Sequence, residues 1–431
     1  MKESILELSF KLLSSYTLCD HCLGRQFAQL LTGTSNEERG RHIRYITAMY
    51  IDTLEEYEDK HNNFASFEFH NCKVLRKNNN VKECFICGGI FDRVNEIANN
   101  ILKIIEGYEY STFLVGIVPK KEMILNEEKI WEEIGVEYVE PLKEELSREI
   151  GKKVHERTGK NVDFEKPDIT IIVDLDKNLI KKMVKSLYIY GRYNKYVEIP
   201  QTKWICSFCN GIGCEKCGYT GKRYTESVEE LIGNVLLKHT KGIDTSFHGA
   251  GREDINALCY GWREFVIEIH EPKIRSIDLA KIEEEINSIN KGKIEVRDLR
   301  FSDAQEVKKI KEKRDNKIYL AEIICEKPFT KQDIKILEEI KDLVINQQTP
   351  ERVIHRRADK IRRRKIFFVK VLKVNKNEAK IRIKAEAGTY IKEFIHGDNG
   401  RTRPSVSSLL GKKCDVKRLI VERFEENGDK K

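Results

Sequence analysis

The spacing of apolar residues predicts helices over residues 3–15, 91–106 and 141–158, the last broken at Thr158-Gly159. Residues 36–59 keep a helical period under heavier charge and predict a long charged amphipathic helix. STFLVGIVP (111–119) and KPDITIIVDLD (166–176) are apolar, β-branched runs of strand length, the second opened by a proline. With a helix expected after 176, this order of strand, helix and strand predicts a small α/β unit.

The second half alternates more often between periods. Helices are expected at 226–238, at 277–289 behind a Ser276 cap, and at 331–346, where Thr330 and Asp333 stand at capping-box spacing. Strands are expected at 264–269, 294–299 and 317–325. Two more, 367–374 and 379–387, face each other across Asn375-Lys376-Asn377-Glu378 as a hairpin. Mostly antiparallel strands with helices between them make the class α+β and multidomain. Residues 186–200 interleave Tyr188, Tyr190, Tyr193 and Tyr196 with Arg192 and Lys195. They fit either a half-buried strand pair or a surface on which bases stack.

Composition narrows this picture. A chain of 431 residues, 40% hydrophobic and 34% charged, fits a globular protein of two or three domains. No apolar run reaches bilayer length, and MKESILELSFKLL lacks a signal peptide's uninterrupted apolar core, so a cytoplasmic protein without a membrane partner is expected. The formal charge is +8. Residues 352–365, RVIHRRADKIRRRK, alone hold eight Lys/Arg against one Asp, which points to a polyanion, nucleic acid first.

Eight of twelve cysteines form four C-x-x-C pairs, Cys19/Cys22, Cys84/Cys87, Cys206/Cys209 and Cys214/Cys217. Each pair lets two thiolates on one tight turn face a single ion, with Gly24 relieving the first turn. The first two pairs are expected to close one structural zinc site across the chain. The last two, packed as C-x2-C-x4-C-x2-C with Gly211, Gly213 and Gly218 at the turns, form a zinc knuckle that staples the two halves. Zinc, one or two ions, is thus the expected cofactor. Cys72, Cys259, Cys325 and Cys414 read as single buried apolar residues.

The stretch GAGREDINALCYGWREFVIEIH (249–270) delivers a Gly-Arg-acid-Asp loop against a strand. That puts a carboxylate, Asp254, at the rim of a sheet with a guanidinium, Arg252, close by. Taken alone, Asp254 is better explained as a turn cap. The basic tract is expected to be a loop gripping RNA backbone through Arg352, Arg356, Arg357, Arg362, Arg363 and Arg364, with His355 as a hydrogen-bonding partner.

GREDINAL followed by GTYIKEFIHGD resembles the pseudouridine synthase pattern, an Arg-x-Asp loop and then a strand bearing Lys or Arg. The closest likeness is to the archaeal and eukaryotic tRNA pseudouridine synthases that act on uridines 54 and 55 of the T-loop. FLVGIVP, YGRYNKYVEIPQTKW, CNGIGCEKCGYTGKRYTESVEELIG, GAGREDI, NQQTPERVIHRRAD and AGTYIKEFIHGDNGRTRPS resemble that family in order along nearly the whole chain. The chain departs from it at Asn256 and Leu258, where the family has Asp and Arg, and at Trp262-Arg263-Glu264, where it has Gly-Arg-Pro.

The resemblance implies a helical zinc-binding region (1–109), a THUMP-like RNA-binding domain (110–203), a four-cysteine knuckle and linker (204–225) and a catalytic domain (226–431). It makes Asp254 the catalytic aspartate, Tyr319 the ring that stacks on the target base, Lys392 the cation paired with the aspartate, and Leu419 a pocket-floor residue. Tyr390, just ahead of Lys392, joins them as a substrate-binding candidate. The expected partner is the T-arm of tRNA, met by a monomer. An isomerisation needs no redox equivalent, so no organic cofactor is expected. A non-catalytic RNA-binding protein, or another tRNA-modifying activity, accounts equally for cysteines and charge but leaves the aspartate loop unexplained. A zinc hydrolase is disfavoured because four thiolates leave no open ligand position.

Overall fold

The computed structural model describes residues 4–64 and 83–425, apart from the side chain of Arg356. Cys72 lies outside the described residues. The chain forms two compact units, Met1–Lys185 and Ser186–Lys431. Among the described residues, no helix is long and apolar enough to cross a membrane.

The first unit begins with α1 (Ile5–Ser15), α2 (Asp20–Gly24), α3 (Asn36–Asp52) and α4 (Val94–Ile105). Ser4 with Glu7 and Ser35 with Glu38 close capping boxes that start α1 and α3. Then come β1 (Thr112–Val118), α5 (Lys121–Ile134), α6 (Leu142–Thr158), β2 (Asn161–Val162), β3 (Ile169–Asp174) and β4 (Leu179–Val184), with strand order β2-β1-β3-β4. Alternation buries Phe113, Val115 and Ile117 of β1 and Ile169, Ile171 and Val173 of β3 against the helices. The helix expected after 176 is instead β4, antiparallel to β3. Leu179, Ile180, Met183 and Val184 mimic a helical spacing, but Asp174 accepts a hydrogen bond from Lys177 N and Asn178 adopts φ +49°, which turns the chain back. Gly24 does not relieve a turn: its φ is an ordinary helical −64°, and a Cβ there would meet Asn36 O at 1.8 Å, so it permits α2 and α3 to touch.

The second unit comprises β5 (Leu187–Lys195), α7 (Val228–Thr240), β6 (Asp244–Gly249), β7 (Ala257–His270), α8 (Leu279–Ile289), β8 (Ile294–Ser302), α9 (Ala304–Glu312) and β9 (Asn316–Cys325). It continues with α10 (Lys331–Glu338), β10 (Lys341–Gln348), β11 (Ile361–Asn375), β12 (Glu378–Ala385), α11 (Ile391–His396), β13 (Thr402–Arg403), α12 (Val406–Leu410) and β14 (Cys414–Glu425). Ten strands form one sheet in the order β13-β10-β11-β12-β9-β14-β7-β5-β8, with β6 paired to β7. Among the described pairs of this sheet, only β14 and β7 run parallel, with Leu419 opposite Ala257. One apolar core lies under β9, β12 and β14, a second under β5, β7 and α7.

Several expected boundaries move. The domain expected to run to 203 ends at Lys185, because β5 pairs with β7 and β8 in the second sheet, and the four-cysteine segment follows it in that unit. Tyr193 is fully buried and Tyr190 nearly so, which favours the strand reading of 186–200 over a stacking surface. The helix expected over 331–346 stops at Glu338, and β10 takes over because Ile345 and Gln347 alternate inward. Asp278, not Ser276, caps α8 by accepting from Lys281 N. Only the first part of the basic tract lies outside a strand, in a 3-10 turn at Glu351–Arg356; from Ile361 it runs within β11. Cys325 and Cys414 are not single: they stand opposite each other where β9 meets β14 and form a disulfide across 89 residues.

Candidate active site

The loop from Ala250 to Asn256 joins β6 to β7 and carries Asp254. Its carbonyls are held from beneath by buried side chains. Arg263 Nη1 donates to Ala250 O at 2.9 Å and Gln201 Nε2 to Gly251 O at 3.1 Å. Lys195 Nζ donates to Ile255 O at 3.2 Å and Asp254 O at 3.4 Å. Glu253 points inward and unites these donors: Arg263 Nε lies 2.9 Å and Lys195 Nζ 3.5 Å from its oxygens, and Tyr193 OH donates at 2.9 Å. Burial opposes the charge on Glu253, yet Arg263 and Lys195 outweigh it and hold the carboxyl below its ordinary value. Gly251 lies at φ +74°, a left-handed conformation that glycine adopts without strain.

Asp254 itself is half-buried, with cations against both oxygens. Arg352 Nη1 stands 2.7 Å from Oδ1 and Lys392 Nζ 3.7 Å from Oδ2. Arg352 also reaches the buried Glu393, Nε to Oε1 2.7 Å, so one guanidinium ties the aspartate loop to α11. Lys392 bonds Asn256 Oδ1 as well. It sits in the first turn of α11 rather than on the strand expected. That helix start is fixed by Gln347, whose amide donates to Tyr390 O and accepts from Tyr390 N, each at 2.9 Å. Arg252 packs its guanidinium over the Trp204 ring, 4.9 Å from the centroid, so the cation found on Asp254 is Arg352, which the sequence assigns to the RNA backbone.

Asp254, Arg352 and Tyr390, with Arg252, Glu253 and Arg263, line a cavity of about 810 Å³, the size of a small-ligand site, and Lys392 stands behind Asp254 outside that lining. Tyr319 of β9 and Leu419 of β14, both buried, form part of its wall, Leu419 at the parallel seam with β7. Burial pushes the Tyr319 hydroxyl above its ordinary value, which keeps it neutral. Arg357 donates from Nη1 to Tyr390 OH at 2.8 Å, and Arg362 from Nη1 to Thr349 Oγ1 at 2.9 Å. Arg352, Arg357, Arg362 and Arg364 line the cavity, whereas His355 and Arg363 are exposed and do not. Strand alternation separates Arg363 from its neighbours Arg362 and Arg364 on β11. The side chain of Arg356 lies outside the described residues.

Sequence reasoning missed Glu253, Arg263, Lys195, Gln347, Glu393 and Lys317. Only the strand pattern hinted at them: a charged residue within an apolar run, such as Arg263 in β7, has to be paired if it points inward.

The cysteine pairs assemble as the spacing predicts. Ligand atoms of Cys19, Cys22, Cys84 and Cys87 lie within 4.8 Å of one another, as do those of Cys206, Cys209, Cys214 and Cys217. Sulfur separations are 3.7 Å (Cys19–Cys87), 3.9 Å (Cys206–Cys214) and 3.9 Å (Cys209–Cys217). A tetrahedral ion with metal–sulfur bonds of about 2.3 Å sets its sulfurs about 3.8 Å apart, so both clusters fit a four-thiolate metal site. In the second, Gly213 N and Gly221 N donate to the sulfurs of Cys209 and Cys217 at 3.2 and 3.3 Å, bonds that stabilise thiolate.

Residues 188–425 match the protein-family model described as "Pus10, C-terminal", and residues 97–174 match "Pus10 THUMP domain, archaeal". A protein of Methanocaldococcus jannaschii named tRNA pseudouridine synthase Pus10 is 40% identical over 437 residues, covering 97% of this chain and 94% of its own. Its namesake from Pyrococcus furiosus is 36% identical over 430 residues, covering 99% of this chain and 100% of its own. Among solved structures, a chain of a Cbf5-Nop10-Gar1 complex is similar at 14% identity and a TM-score of 0.31, over 54% of this chain and 48% of that one. The fold is thus a THUMP domain followed by a pseudouridine synthase domain, and the class of enzyme is an isomerase. The chain belongs to the Pus10 family.

Proposed function

We propose that the chain is a tRNA pseudouridine synthase that isomerises uridines 54 and 55 of the T-loop, with Asp254 as its catalytic aspartate. The observation that carries this reading is the Asp254 carboxylate set between Arg352 and Lys392 on a cavity lined by Tyr319 and Leu419. The reaction breaks the C1′–N1 bond of uridine, turns the base and joins C5 to C1′; C5 loses a proton and N1 gains one. A base in the stack is out of reach, so the target nucleotide has to leave it. Asp254 meets the sugar side of the extruded uridine, while Tyr319 offers its ring to the base. Arg357, Arg362 and Arg364 take phosphate at the cavity rim, and His355, Arg356 and Arg363 extend the grip along the backbone.

The THUMP domain of the N-terminal unit contributes to tRNA binding. Both four-cysteine clusters hold zinc in a structural role: the first ties buried chain within an apolar core, and the second fixes a segment with little apolar content of its own. The protein acts as a monomer on one T-arm.

Tritium release from C5 of uridine in T-arm tRNA, with wild type against Asp254→Asn, tests the reading. Wild type releases tritium and the variant does not. Release by neither protein leaves a zinc-containing RNA-binding protein, and equal release by both removes Asp254 from the catalytic role.

A further inference from the structure

Lys317 precedes Tyr319 by two residues on β9, so strand alternation sends both side chains to the same face, and both line the cavity. In register, Lys317 lies between Phe424 of β14 and Ala385 of β12. Its Nζ is 5.8 Å from the centroid of the Phe424 ring and 3.2 Å from where a Cβ on Gly251 would stand. The amine therefore borders the aspartate loop. Among the described residues, no carboxylate pairs with it and no acceptor takes its hydrogen bonds.

The charges around it are accounted for elsewhere. Arg263 of β7 is bound to Glu253, and Lys313, ahead of β9, is bound to Glu264 and Asp315. Arg314 completes that side of the cavity, and the buried Cys259 thiol acts on the amine electrostatically. Burial and then the Arg263 guanidinium push the Lys317 ammonium down to about 8, while Glu253, Cys259 and Asp315 resist. The cavity thus holds an amine that has no protein partner among the described residues.

Resting on the function proposed above, we propose that Lys317 is a further catalytic residue: its ammonium donates to a carbonyl oxygen of the extruded uracil and holds the negative charge that forms there. When C1′–N1 breaks, its electron pair passes to the base and spreads over N1 and the two carbonyl oxygens. The ammonium keeps its protons throughout. The pair returns in the C5–C1′ bond, after which C5 gives up its proton and N1 takes one. A fixed donor aimed at charge that develops only in the transition state speeds the step without tightening the ground state.

The test compares wild type, Lys317→Met and Lys317→Arg in single-turnover pseudouridine formation across pH, with tRNA affinity measured alongside. Wild-type rate falls as pH rises through about 8, where the ammonium is lost. Lys317→Met is slower by about 100-fold at neutral pH, the cost of one such donor, with tRNA affinity retained as evidence of folding. Lys317→Arg recovers much of the rate and loses the alkaline fall, since guanidinium stays charged to about pH 12. Full rate in Lys317→Met overturns the role of the lysine alone. So does an alkaline fall unmoved in Lys317→Arg. A wild-type enzyme that forms no pseudouridine on any tRNA overturns the underlying reading as well, so the two failures are distinguishable.

Discussion

Nη1 of Arg352 stands 2.7 Å from Oδ1 of Asp254 and so links the aspartate loop to the basic tract 98 residues further along the chain. The same guanidinium is anchored by Glu393, and these two carboxylates raise its affinity for its proton although burial opposes it. Arg352 therefore orients Asp254 as well as balancing it. Arg352→Met is expected to slow single-turnover isomerisation by about 100-fold while tRNA affinity falls only about threefold, because one phosphate-type contact is a small part of binding. A loss confined to affinity would return Arg352 to the RNA-gripping role.

The buried Glu253–Arg263 pair carries the loop, and breaking it leaves a charge with no partner. Glu253→Gln or Arg263→Met is expected to destabilise the protein by about 3–5 kcal/mol, measured by denaturant unfolding. The effect depends on pH. Because the folded state holds the Glu253 carboxyl low, its stabilisation is complete above the ordinary glutamate value of about 4.3 and drains away as pH falls through the folded value. The gap between wild type and Glu253→Gln thus narrows in acid.

Arg357, Arg362 and Arg364 share the cavity rim. Replacing all three by alanine is expected to weaken tRNA binding and to reduce the slope of log affinity against log salt by about 2, at about 0.7 per lost phosphate contact. Arg363→Ala, on the other face of β11, removes a single contact and should change the slope by about a third of that.

Native mass spectrometry is expected to find two zinc ions per chain, one in Cys84→Ser and one in Cys214→Ser. Chelation should unfold the knuckle first, since three of its cysteines are partly exposed whereas three of those in the first cluster are buried.

Much of this was legible in the sequence, and the failures share causes. Helix starts with a side-chain cap were readable at Thr330, where the capping box stands as expected. β4 and β10 were hidden because short mixed runs fit both periods, and tertiary pairing decides between them. The eight clustered cysteines announced themselves through spacing. Cys325 and Cys414 could not, since nothing local records a partner 89 residues away. The site shows the same divide: Asp254, Tyr319 and Lys392 follow from resemblance, whereas Arg352 could be assigned to phosphate or to carboxylate until its neighbours were known. Glu253 looked like one more acid in a charged loop until the fold turned it inward.

The parallel seam between β14 and β7 has a consequence for assembly. β14 follows every other strand of its sheet in chain order, yet it lies at the middle, between β9 and β7. Until it is laid down, the strands on either side of it are separate sheets, Leu419 is missing opposite Ala257, and the cavity lacks a wall. A chain that has not yet placed β14 therefore has its aspartate loop but lacks the side of the cavity that Leu419, Val421 and Phe424 supply.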